Sequence, residues 1–370
     1  MTPYTETKHQ HIPKECLLFH DHASASEASH DETPFFAVHD PSFLDILGPS
    51  PSITLGLEKD WPFAHEAAVY VPSQDACYIT SNLCPPEQSS GQPKIYLGKL
   101  TRHASSPTWT YETLDTNIAM GNGGINYPTP SNPHTLLICD QGSHSSAPSL
   151  TILDPTPPYK TTRLLTAYHT RPFTSPNDVV IHSNGSIWFT DPIYGHEQGF
   201  RPAPSLPSHV WRLDPESGEL RPVADGFGRC NGVCFSPDEE TLYVTDTDWI
   251  HGDGTTDHRR SSNIYAFDVI ERHGGQFLTN RRLFAMADCG IPDGIKTDLS
   301  GNVYSGTWDG ISVWSPAGRL LGKIRIPGGV ANFCFARKGE LLACNEKRFW
   351  VVQVSEGVEG ALLRGLGMEV

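Results

Sequence analysis

Six polar positions recur along the chain where apolar strands would begin: Glu66-Ala67, Asn122-Gly123, Asn177-Asp178, Asn231-Gly232, Asp293-Gly294 and Asn332. Carboxylates and amide carbonyls are hard oxygen donors. A set of them without His or Cys suits calcium, which takes about 6–8 oxygens at roughly 2.3–2.6 Å. If these side chains converge, Glu66 and Asp293 repel one another unless protonated or bridged by a cation. A divalent ion with a position open to solvent polarises a carbonyl or phosphoryl oxygen and acidifies bound water. The competing reading is that Asn, Asp and Gly merely start strands by supplying turn conformations. It serves for any one position and weakens for the set.

The elements that must position these residues are legible as a repeat. TSPNDVVIHSNGSIWFTD (Thr174 to Asp191) reads as strand, turn and strand, and the pattern returns in CNGVCFSPDEETLYVTD from Cys230 and IPDGIKTDLSGNVYSGT from Ile291. Weaker copies run HEAAVYVPSQDACYITS from His65, NGGINYPTPSNPHTLLICD from Asn122 and ANFCFARKGELLACN from Ala331. Asn184-Gly185 between two apolar runs predicts a type I′ hairpin with φ > 0 at both central residues. Six copies, mostly about 55 residues apart, predict an all-β fold, a six-bladed β-propeller whose innermost strands line a central metal-binding channel. The expected blades begin at Trp61, at Trp109, around Asn177, near Leu220, at Gly290 and at Leu320, with Ser52 to Leu57 returning as the outer strand of the last. Residues 1–33 read as a polar, flexible tail, 34–355 as the propeller and 356–370 as a C-terminal tail.

Bulk properties agree. In 370 residues, 33 Gly and 31 Pro with only 19% charged residues describe a turn-rich β protein. A formal net charge of -15 speaks against nucleic acid, whose phosphates need a basic surface. Nine cysteines with no CxxC pair point to free thiols in a reducing compartment. No signal-peptide core and no run of roughly 18 apolar residues is present, so no membrane span and a cytoplasmic location are expected. The five histidines of the tail, His9, His11, His20, His22 and His30, repeat no ligand spacing. Asn184-Gly185-Ser186 matches a glycosylation sequon but reads as the hairpin turn.

HEAAVYVP, SPNDVVIHSNGSIWFTDPIYG, CNGVCFSPDEETLYVTDT and IPDGIKTDLSGNVY resemble, in order and at blade spacing, the four signature segments of the gluconolactonase and senescence-marker-protein (regucalcin-like) family. The resemblance covers roughly Phe35 to Val351. FAVHDPSFLDILGPSPSI and FAHEAAVY further resemble its fungal lactonohydrolase branch. It implies lactone hydrolysis with one divalent cation, calcium foremost, in the channel. The family's metal-binding Glu matches Glu66, its NG asparagine Asn231 and its PDG aspartate Asp293. Asn177 matches an asparagine that is a ligand or a substrate contact, and Asn122 a similar fungal segment. Ser175 stands where some members carry an arginine that grips sugar lactones. The catalytic histidine pair of the related paraoxonases has no counterpart.

On this reading the metal ligands are Glu66, Asn177, Asn231 and Asp293, with Asp293 as general base and Asn177 beside it. Asn122, Asn177, Tyr194 and Trp308 are the substrate contacts. No GxSxG elbow supports a serine hydrolase. His65 is expected on the opposite strand face from Glu66, packing between blades. The insertion DWIHGDGTTDHRRSSN, with His251, Asp253, Asp257 and His258, forms either a lid or a solvated loop. A small-molecule lactone is the expected partner, with lactones less hydroxylated than gluconolactone expected to be tolerated. Two alternatives stand beside it: a metal-dependent phosphotriesterase and a non-catalytic calcium-binding propeller.

Overall fold

The computed structural model describes residues 4–6, 33–85, 92–103 and 108–368. It is a six-bladed β-propeller. Blade three shows the plan: Val179–Ile181, Ile187–Asp191, His209–Leu213 and Leu220–Ala224 pair antiparallel in chain order from the axis outwards. The innermost strands of the others are Glu66–Val71, Gly121–Asn126, Cys230–Phe235, Ile295–Thr297 and Asn332–Phe335. Ring closure runs as expected: Ser52–Glu58 pairs antiparallel with Arg348–Gln353 as the fourth strand of blade six. Phe35–Val38 adds a further strand outside Leu320–Arg325 of blade five, and Tyr4–Glu6 pairs parallel with it. Apart from Tyr4–Glu6 and Thr33, the tail expected to be flexible, with its histidines, lies outside the described residues.

Three of the expected blade starts, those of blades two, four and six, are out by one strand. Trp109–Thr113, Leu220–Ala224 and Leu320–Arg325 close blades one, three and five instead of opening the next. The reason is packing across blades. Trp109 is buried edge-on against Phe349 of blade six, ring centroids 5.2 Å apart, which holds its strand on blade one. The hairpin turn also differs from expectation. Only Gly185 takes a positive φ, +87°, while Asn184 does not and instead accepts from Ser186 N at 3.0 Å. Asp75, Glu239, Gly301 and Gly339 hold the same left-handed conformation in the equivalent turns, so turn geometry repeats where residue type does not.

Each blade is apolar on both faces and buries them against its neighbours. The largest cluster joins blades two, three and four through Ile125, Leu137, Val179, Trp188, Trp211 and Val233. The C-terminal segment belongs to the same body. Gly360 bridges Asp298, and the helix Ala361–Gly365 brings Leu362, Leu363 and Leu366 to the wall of the channel at the end away from the strand heads. Among the described residues eight cysteines are free, seven of them buried, and no helix is long and apolar enough to cross a membrane.

Candidate active site at the channel mouth

Two devices bring the strand heads to one mouth. The first is a bulge: pairing slips between Glu66 and Val69, Gly121 and Gly124, and Cys230 and Val233, which takes Asn122 and Asn231 out of the ladder and, in blade one, takes out Ala67 and Ala68 while Glu66 stays paired with Thr80. In blade one this puts Ala67 and Ala68 at φ +65° and +53°, a conformation costly for a residue with a Cβ.

The second is a ring of hydrogen bonds that links all six junctions between blades. Thr80 Oγ1 donates to Asn122 O at 3.0 Å, Gly123 N to Asn177 O at 2.8 Å and Thr190 Oγ1 to Asn231 O at 2.6 Å. Thr245 Oγ1 then donates to Asp293 O at 3.1 Å, Gly294 N to Ala331 O at 2.9 Å, and Asn332 Nδ2 to Glu66 Oε2 at 2.7 Å. The glycines of the Asn-Gly and Asp-Gly pairs serve this closeness and supply no turn. Neither Gly123 nor Gly232 has a positive φ, and a Cβ on either would lie 2.4 Å from the Asn177 or Asp293 carbonyl oxygen.

Burial works against the charge on the carboxylates of this ring. Burial raises the pKa of Glu66, although the charge on His65 and the bond from Asn332 oppose it. Burial and then the Glu66 charge hold Asp293 well above the ordinary carboxylate range. Asn177 Oδ1 and Asp293 Oδ1 are buried acceptors with no hydrogen-bond partner, an arrangement that is expensive unless something else binds them. A hard cation would satisfy both oxygens: it would take Glu66, Asn177, Asn231 and Asp293 as oxygen donors. Among the described residues no three His, Cys, Asp or Glu side chains form a ligand cluster; the fitting set mixes two carboxylates with two amides.

Around this centre the mouth is asymmetric. On one side His65 Nδ1 pairs with Glu346 Oε1 at 2.6 Å, tying blade one to blade six, and Asn82 Nδ2 donates to Glu346 Oε2 at 3.0 Å. Burial disfavours the charged ring, but Glu346, with the Glu66 and Asp293 charges adding to it, raises the His65 pKa to about 10. On the other side Tyr194, in the short helix Tyr194–Glu197, hydrogen-bonds through its hydroxyl to Thr247 Oγ1. Burial raises its pKa, Thr247 and Asn231 oppose, and the Asp293 charge adds to the rise. Trp308 stands further out and is 46% exposed. It packs edge-on to Trp249, ring centroids 4.8 Å apart, and Trp249 Nε1 donates to His258 Nδ1 at 2.8 Å. The blade-four insertion is therefore a built wall: Gly252 N donates to Glu197 Oε2 at 2.7 Å, and Arg229 pairs with Glu197 and Asp248.

A family model described as the SMP-30/gluconolactonase/LRE-like region matches residues 118–343. The chain belongs to this family. A lactonohydrolase of Aspergillus oryzae is 29% identical over 349 residues, covering 85% of this chain and 73% of that protein. A gluconolactonase of Zymomonas mobilis is 33% identical over 189 residues, 47% of this chain and 49% of its own length. Among solved structures, a gluconolactonase from Xanthomonas campestris superposes with a TM-score of 0.65 at 24% identity, covering 86% of this chain and 94% of that one. The calcium-binding protein regucalcin from Agrobacterium tumefaciens gives 0.57 at 16%, covering 84% and 95%. These two likenesses concern the fold.

In this SMP-30/gluconolactonase family member Ser175 is fully buried. Its hydroxyl donates to Gln141 Oε1 and accepts from Gly195 N, both at 2.9 Å, so it braces the loops and leaves no donor for a ligand. Sequence reasoning missed a set of anchors. Asp140, Asp191 and Asp246 close the second strands of blades two, three and four, and each accepts two or more main-chain N–H groups, chiefly from the segment leading into the head asparagine. The signal was present in the closing ICD, FTD and VTD. It also missed the Thr hydroxyls of the ring, which precede two of those aspartates.

Proposed function

We propose that the chain hydrolyses a lactone at this mouth with one divalent cation, calcium foremost. The observation that most supports the reading is the pair of partnerless buried oxygens, Asn177 Oδ1 and Asp293 Oδ1, with the Glu66 charge acting on Asp293, in a chain whose relatives are named lactonohydrolase and gluconolactonase. Glu66, Asn177, Asn231 and Asp293 would hold the ion. When bound, it supplies Lewis acidity toward the lactone carbonyl.

The chain's own residues supply the rest. Asp293 is the general base: its main chain is fixed from both sides, N–H to Gly306 O at 2.9 Å and carbonyl to Thr245 Oγ1, so its carboxylate is held in place to take a proton from an attacking water. Water oxygen bonds to the acyl carbon, the acyl C–O bond of the ring breaks, and the ring oxygen leaves with a proton as a hydroxyl, giving a hydroxy acid. Asn177 and Asn122 orient the lactone through their amides. Tyr194 and the Trp249–Trp308 wall bound the mouth and restrict water.

A panel of lactones and one phosphotriester, assayed before and after exhaustive chelation and with calcium, magnesium, manganese or zinc returned, tests this. Loss of lactone turnover on chelation with recovery on one added metal is expected. Undiminished turnover after chelation would refute the ion's role. Faster turnover of the phosphotriester would transfer the site to that class, and binding of metal without turnover of any substrate would make the propeller non-catalytic.

A further inference from the structure

A recess opens in the mouth face over the seam between blades one and two. One wall is segment 114–120, which runs from the outer strand Trp109–Thr113 of blade one to Gly121 and so leads straight into Asn122. Asp140 fixes it, accepting from Ala119 N at 3.2 Å and from Met120 N at 3.0 Å. The facing wall is segment 93–97 of blade one. Lys94 and Cys84 exchange main-chain hydrogen bonds of 3.0 and 2.8 Å there, and Tyr96 O accepts from Ser81 N at 2.9 Å. Ser81 precedes Asn82, which donates to the Glu346 paired with His65. Residues 143–145 of blade two and Phe200 of blade three close the end, joined where His144 Nε2 donates to Gly199 O at 3.1 Å. Both walls therefore continue into residues of the candidate site.

The recess encloses about 490 Å³, inside the roughly 300–1,000 Å³ of small-molecule sites. Ile95, Met120 and Phe200 form one apolar cluster at its base, with Leu83 and Ala119 packed against them. Among the described residues its two charged side chains, Lys94 and Asp115, are of opposite sign, and the Lys94 ammonium lies 4.7 Å over the Tyr96 ring. No net charge selects an ionic ligand, and an apolar base under a polar rim suits an uncharged aliphatic chain. Elsewhere the mouth is walled. Trp249 and Trp308 stand on blades four and five, across the ring from this seam. Ser175 of blade three is locked to Gln141, and Glu346 ties blade six to His65. A substituent on a lactone held at the strand heads has its room toward blades one and two.

We propose that this recess is a second substrate subsite, which takes an uncharged aliphatic substituent of the lactone while the ring lies at the strand heads. The inference rests on lactone turnover at the mouth, and the experiment keeps the two apart. Steady-state kcat/KM is measured on the full-length protein for two γ-butyrolactones, one with a methyl and one with a pentyl group on the carbon that bears the ring oxygen. Isothermal calorimetry follows binding of the matching alkylcyclopentanones, in which a methylene replaces the ring oxygen and no ester bond can be cleaved. The parent should prefer the pentyl compound at least about tenfold in both measurements, since even one methylene in an apolar pocket is worth about 10–200-fold. Ala119→Phe fills the recess and should erase the preference, whereas Trp308→Ala, on the opposite side of the mouth, should keep it.

Turnover without a pentyl preference in the parent, or a preference that Ala119→Phe keeps or Trp308→Ala removes, overturns the subsite and leaves lactone hydrolysis at the mouth standing. Preferential binding of the pentyl ketone, lost in Ala119→Phe, with neither lactone turned over by the parent, supports the recess as a chain-binding site and sinks the lactonase reading. Neither turnover nor preferential binding sinks both. If Ala119→Phe does not fold, Ser145→Trp, on an exposed position of the recess, decides: loss of the preference supports the proposal, and its retention overturns it.

Discussion

Asp309→Asn probes how the rim beside Trp308 is held. Lys323 is a buried lysine, 2% exposed, in an outer strand of blade five. Its ammonium pairs with Asp309 Oδ2 at 2.9 Å and with Asp288, whose side chain is 61% exposed against 7% for Asp309. Arg325 also pairs with Asp309, and Thr307 Oγ1 donates to its other oxygen at 2.7 Å. Asparagine keeps the size but leaves a buried ammonium with one solvated partner. Breaking a buried pair from one side costs about 3–5 kcal/mol, whereas an exposed partner such as Asp288 contributes roughly 0–1 kcal/mol. At roughly 2 °C per kcal/mol for a domain of this size, Asp309→Asn should melt about 6–10 °C lower and Asp288→Asn within about 2 °C of the parent.

The sign with pH follows. Burial alone would raise the Asp309 pKa, but Lys323 and Arg325 outweigh it and hold the carboxyl below its ordinary range. Its stabilisation is therefore complete above the ordinary carboxylate range and is lost as pH falls through the folded-state value. The deficit of Asp309→Asn should shrink in acid. Thermal unfolding followed by circular dichroism at neutral and acid pH measures both effects, and adding Lys323→Met should recover much of the loss. Equal costs for the two aspartates, or a deficit that persists undiminished in acid, would refute the assignment of Lys323 to Asp309.

Three further outcomes are expected. Asp293→Asn should lower kcat by orders of magnitude with the fold retained by circular dichroism, while Asn122→Ala mainly raises KM; a fully active Asp293→Asn would remove it as general base. Gly232→Ala places a Cβ 2.4 Å from the Asp293 carbonyl oxygen, so it should cost about 1–3 kcal/mol of stability and most of the activity, measured by denaturant unfolding and steady-state kinetics. Deleting Gly252 to Arg259 removes the partner of Glu197 and His258 from the Trp249 wall. It should change the ratio of kcat/KM between gluconolactone and an unsubstituted aliphatic lactone more than it changes Tm, and strict sugar-lactone preference kept in the deletion would count against the wall as a specificity element.

Local chemistry made much of the molecule readable. Strand alternation and turn residues follow from backbone sterics within a few residues, so Val179 to Asp191 and its copies could be recognised as one unit, and their number implied the ring. The six polar heads stood out because a buried strand has no reason to begin with Glu66, Asn231 or Asp293. Other features depend on contacts between residues far apart in the chain. That Trp109 closes blade one was decided by Phe349, some 240 residues away. The Asn-Gly pairs looked like turns, yet Gly123 and Gly232 are needed for closeness to the neighbouring blade. Lys296 reads in sequence as one more strand residue; only closure of the ring sets its ammonium beside Asp178. Residue types and their period determined which elements form and which side chains could bind a cation. Tertiary structure decided which of those side chains share a low-dielectric channel, because charge interactions there act through space between blades and leave no mark on local sequence.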